Sequence, residues 1–79
     1  MISGVVVVCR PEHRPAFERA LADLEWAEIH HADARGRLVL TIEADGTEQS
    51  MERLQQVQSL PHVILAELAA YYVDDEPRL

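Results

Sequence analysis

Lysine and asparagine are absent from this 79-residue chain, and cysteine occurs once, at Cys9. A single thiol rules out a disulfide framework and the small secreted scaffolds that depend on one. It also rules out a four-thiolate iron–sulfur cluster. Positive charge is scarce: seven arginines face fourteen carboxylates, for a formal net charge of −7. A phosphate backbone would be repelled by that balance, which argues against nucleic acid as a partner, whereas a basic partner would be steered in. Long apolar runs are lacking too. The run at the N-terminus is far short of a membrane span. That end passes from Met1 through Gly4 straight into a valine run, with no positive flank and no cleavage site, so the expectation is a cytoplasmic protein. Seventy-nine residues make one domain, which buries only about 60% of its unfolded surface.

What is present is a strongly patterned chain. In Arg37-Leu38-Val39-Leu40-Thr41-Ile42-Glu43, Leu38, Leu40 and Ile42 fall on one side and Arg37, Val39, Thr41 and Glu43 on the other. That alternation predicts a strand with one buried and one open face. Val5 to Val8 is a β-branched run that predicts a central strand of undetermined facing. Pro11 suits the first turn of a helix, on which Phe17, Ala20, Leu21 and Leu24 recur at helical spacing. Trp26 to Asp33 alternates as an edge strand, with Ala27, Ile29 and His31 on one side and Trp26, Glu28, His30 and Ala32 on the other. Asp33-Ala34-Arg35-Gly36 has the signature of a type I turn closing a hairpin. Thr47 offers a cap for a second helix with the apolar stripe Met51, Leu54, Val57 and Leu60, ended by Pro61. His62 to Tyr72 is the last strand. With Glu67 outward, Ile64, Ala66, Leu68 and Ala70 point in, and Val63, Leu65, Ala69 and Tyr71 stay open. Residues 74–79 form an acidic tail, expected to be disordered beyond a single domain over 1–73.

The order strand, helix, strand, strand, helix, strand predicts an α+β, ferredoxin-like βαββαβ sandwich: a four-stranded antiparallel sheet with both helices on one face. Catalytic uses of this fold fail at their sites. A metal carrier needs Cys-x-x-Cys where this chain has Cys9-Arg10-Pro11-Glu12. An acylphosphatase needs a glycine-rich cradle and an asparagine. His30 and His31 are adjacent in a strand, where neighbours point to opposite faces, so the pair is not expected to chelate one ion, even with His62. His13 reads as solvated and Cys9 as a small apolar filler. The expectation is a protein that is not an enzyme and carries no cofactor or metal.

The open sheet face is the candidate working surface. By alternation it collects Arg37, Val39, Thr41 and Glu43, then Trp26, Glu28 and His30, then Leu65, Glu67 and Tyr71. Either Val6 and Val8 or Val5 and Val7 join them. The competing readings are a plain solvated sheet and a face closed in a homodimer.

In this setting the chain resembles the NapD family. The resemblance rests on the opening Ile2-Ser3-Gly4-Val5-Val6-Val7, on Glu28-Ile29-His30, and on Gly36-Arg37-Leu38-Val39 leading into Thr41-Ile42-Glu43. It continues through Val57-Gln58-Ser59-Leu60-Pro61-His62-Val63 to the closing Ala69-Ala70-Tyr71-Tyr72. Leu24-Glu25-Trp26 departs from it, standing where a Pro-Gly type of turn belongs. The resemblance implies a cytoplasmic chaperone that binds the twin-arginine signal peptide of the periplasmic nitrate reductase precursor, NapA. It also implies that export through the Tat pathway is delayed until the cofactors of the client are inserted. The site residues are assigned by alternation alone: Val39, Thr41, Glu43, Arg37, Glu28, His30, Leu65, Glu67 and Trp26. The expected assembly is a monomer or weak homodimer, without membrane insertion. The alternative is a small-molecule-binding regulatory domain of the same fold, dimerising through its sheet.

Overall fold

The computed structural model describes residues 1–72, without the side chains of Tyr71 and Tyr72. The tail expected at 74–79 and the expected facing of Tyr71 lie outside the described residues. Four strands, β1 (Ile2–Cys9), β2 (Ala27–Ala32), β3 (Arg37–Glu43) and β4 (Val63–Tyr72), pair antiparallel in the order β2-β3-β1-β4. Two helices, α1 (Arg14–Ala22) and α2 (Thr47–Gln58), supply the crossovers. This is the ferredoxin-like α+β sandwich that the element order predicts, with β1 and β3 in the centre.

The core forms where the apolar sides of β1 and β3 meet the helices. Val5, Val7, Cys9, Leu38, Leu40 and Ile42 are buried against Phe17 and Leu21 of α1 and Leu54 and Val57 of α2. The facing of β1 follows: Val6 and Val8 belong to the open side. Burial pushes the Cys9 thiol above its usual pKa, as suits an apolar filler.

Local chemistry refines several sequence expectations. The first helix is preceded by a 3-10 turn over Pro11–His13, and α1 itself starts at Arg14. The N-cap of α2 is Gly46, with Thr47 already helical, and Gln49 Oε1 accepts the Asp45 N–H at 2.7 Å. Met51 does not join the apolar stripe: it is exposed, and Ser50 is buried in its place, its Oγ 3.4 Å from Ser3 Oγ. Spacing from Leu54 and Val57 fits either residue, and the small hydroxyl is the one that fits against β1.

Three bulges reset the expected alternation. In β2, Ile29 pairs with Leu40 but His31 pairs with Val39, leaving His30 as an extra residue. His31 therefore shares the open-side register and Ala32 packs on the core, the reverse of the simple alternation. In β4, Ile64 and Ala69 are the extra residues. Val63 accordingly packs inward and Ile64 is 60% exposed, opposite to expectation, while Ala70 moves to the open side beside Gly4. A period-2 reading has no way to see an inserted residue.

The Asp33–Gly36 turn forms as its residues dictate. Gly36 donates to the Asp33 carbonyl at 3.2 Å and takes φ 87°. Asp33 Oδ1 accepts the N–H groups of Arg35 and Arg37, and Oδ2 accepts Arg37 Nε at 3.0 Å. These bonds, first that from the Arg37 amide, hold the Asp33 carboxyl below its ordinary pKa. Arg14 Nη1 of α1 donates to the Asp33 carbonyl at 2.6 Å, tying the hairpin to the helix layer.

Candidate functional site

Both helices pack on one side of the sheet, so among the described residues nothing covers the other side. The ladder places its residues in rows running from one end to the other. The first row holds Glu43 and Ile2. The second holds Glu28, Thr41, Gly4 and Ala70. The third holds His31, Val39, Val6 and Glu67, and the fourth Arg37, Val8 and Leu65. Val39, Leu65 and Val6 are exposed at 42%, 41% and 38%. Val39 and Val6 lie on the central strands with Leu65 beside them on β4, and an exposed apolar patch of this kind is a candidate contact surface.

Seven of the nine sequence-assigned residues stand on this face as alternation predicts: Arg37, Val39, Thr41, Glu43, Glu28, Leu65 and Glu67. His30, the extra residue of the β2 bulge, is brought to the same side. Its Nε2 lies 2.8 Å from Thr41 Oγ1 and 3.9 Å from Glu28 Oε1. The bulge thus overturns the opposed facing expected for His30 and His31, since His31 is paired with an open-face residue. Among the described residues no group of three or more histidine, cysteine or acidic side chains is placed to hold a metal.

Trp26 departs from its expected place. It precedes β2 rather than alternating within it, packs on the edge of the core, and takes the Arg53 guanidinium of α2 at 5.1 Å from its ring. It still reaches the open side at one end. There Ile2, Glu25, Trp26, Glu28, Thr41 and Glu43 line a hollow of about 140 Å³. Glu25 was not legible as a contributor, because the turn that carries it has no periodicity to place it. The end of the face next to Ile2 is therefore acidic, and the end next to Val8 carries Arg37.

Other features are less suited to function. A hollow of about 440 Å³ opens on the helix layer between Leu24, Leu60, Glu52, Gln55, Gln56 and Ser59, with one carboxylate in its lining. His13, expected to be solvated, is exposed but stacks on His62 with ring centroids 4.0 Å apart. His62 has φ 74°, and its carbonyl accepts the Arg10 N–H at 3.0 Å, which fixes the start of β4. No helix among the described residues is long and apolar enough to cross a membrane.

A family model described as NapD protein matches residues 1–75. Among solved structures, the solution structure of the E. coli Tat proofreading chaperone protein NapD superposes with a TM-score of 0.83. The two are 19% identical, and the match covers 99% of this chain and 83% of that one. At that identity the likeness shows the fold. No curated protein matches the chain.

Proposed function

The chain belongs to the NapD family, and on that premise we propose that it is a Tat proofreading chaperone. Its ligand is the twin-arginine signal peptide of the NapA precursor, which it holds in the cytoplasm until the client has its cofactors. The observation that carries this reading is the uncovered sheet face, where exposed valines and a leucine adjoin Glu28, Glu43 and Glu67. Such a leader is cationic first and apolar next, and needs both kinds of ground.

Magnitudes support a two-part contact. A charge-assisted hydrogen bond contributes about 1.5–3 kcal/mol. Two of them fall short of the roughly 8 kcal/mol that micromolar affinity requires, before any ordering cost. Covering about 200 Å² of apolar surface adds about 5 kcal/mol. A helical peptide laid on the face uses both contributions at once. Addition of a strand at an edge is opposed by the bulges in β2 and β4, which break the regular ladder an added strand needs.

Calorimetric titration with the leader peptide and with a variant carrying two lysines in place of the arginine pair tests the reading. Lysine keeps the charge but loses the planar fork, so weaker binding of the variant is expected. Equal affinity for both peptides would refute the pairing of arginine with glutamate.

A further inference from the structure

The open face has a direction. Its first two rows carry Glu43 and Glu28 on either side of Thr41, with Glu25 and Trp26 closing the end; the cations described near this end are turned to backbone carbonyls, Arg53 Nη1 donating to that of Glu43 and the Met1 ammonium to that of Ala44. Its third and fourth rows carry Val39, Val6, Val8 and Leu65, with two basic residues on the β2 side of them, His31 beside Val39 and Arg37, which is held to Asp33 at 3.0 Å. Glu67, opposite Val6, stands at the β4 margin, beside the central track formed by β3 and β1.

A helical peptide with a cationic start and an apolar continuation is polarised in the same sense. Its first turn bears the positive end of the helix dipole in addition to its side-chain charges, and its last turn bears the negative end. Laid along the β3–β1 track in one direction, it sets its cations and its positive dipole end against Glu28 and Glu43. Its apolar side then falls on Val39, Val6, Val8 and Leu65, and its carbonyl end faces Arg37. Laid in the other direction, it sets cations against Arg37 and apolar side chains against carboxylates. The lengths agree: Glu43 to Arg37 spans about 20 Å of strand, the length of about 13 helical residues.

We propose that the bound leader lies along the strands with its cationic N-terminal segment over the Glu28–Glu43 end and its apolar stretch running toward Val8, Leu65 and Arg37. This rests on the face being the peptide site, and deepens that reading by assigning the orientation.

Paramagnetic broadening of amide resonances tests it. The leader peptide is prepared with a nitroxide either just before its arginine pair or just after its apolar stretch, and each form is added to the full chain. The first label is expected to broaden Gly4, Glu28, Thr41 and Glu43 most. The second is expected to broaden Val8, Arg37 and Leu65 most. The opposite pattern, with binding intact, overturns the orientation alone. Broadening confined to the helices, or to the outer edge of β2 or β4, overturns the site as well. A second measurement uses the unlabelled peptide: Glu28→Gln with Glu43→Gln is expected to weaken it at least tenfold and Arg37→Gln by less than threefold. The reverse ranking overturns the orientation.

Discussion

At the scale of single residues, the β2–β3 turn shows how one position can serve two parts of the molecule. Gly36 holds φ 87° to close the hairpin, and a Cβ there would stand 2.2 Å from the carbonyl oxygen of Cys9. Its own carbonyl accepts the Cys9 N–H at 2.8 Å. Gly36→Ala is therefore expected to lower stability by at least about 1–3 kcal/mol, read as a lower urea midpoint at unchanged slope. Asp33 gives a pH-dependent counterpart. Its folded-state pKa is depressed, so its contribution is present above the ordinary carboxylate value and is lost as pH falls through the folded one. Asp33→Ala should lower Tm near neutral pH, and the deficit should narrow below about pH 4. A deficit that stays constant with pH would assign the effect to the turn backbone alone. The turn itself was legible, because aspartate and glycine occupy the positions its geometry needs. The approach of Gly36 to Cys9 was not, since it joins residues far apart in the chain.

At the scale of elements, β3 separates stability from binding within one strand. Leu40 is fully buried and Val39 is 42% exposed on the opposite side. Leu40→Ala is expected to cost about 2–5 kcal/mol. Val39→Ala should change stability by less than about 0.5 kcal/mol while weakening the leader, so unfolding and titration should rank the two variants oppositely. The alternation of β3 was readable because no residue interrupts it. In β2 the same rule failed from His31 onward, and in β4 it held from Leu65 to Leu68 but failed at Val63, Ile64 and Ala70, because an inserted residue shifts the period without changing composition. In α2 the choice between Ser50 and Met51 turned on the space left by Ser3, which periodicity does not encode. Trp26 was misplaced for a related reason: its neighbour Leu24 turns the chain before β2 begins, and the Arg53 side chain that receives the ring arrives from another element.

At the scale of the whole molecule, the layer order follows from the pattern of elements, and that pattern leaves one side of the sheet bare. The formal net charge of −7 surrounds that side with a field attractive to a cationic peptide. Raising ionic strength is expected to slow association more than it speeds dissociation, measurable by stopped-flow mixing with the leader. An association rate indifferent to salt would show that the field plays no part. The sheet also has two outer strands, and every inserted residue sits on one of them: His30 on β2, Ile64 and Ala69 on β4. The carbonyl of Ala66, midway along β4, already accepts Gln58 Nε2 at 2.9 Å. A neighbouring molecule seeking to extend the sheet meets a broken template on either flank, so crowded solutions of this protein should resist growth into fibrils despite the valine-rich centre.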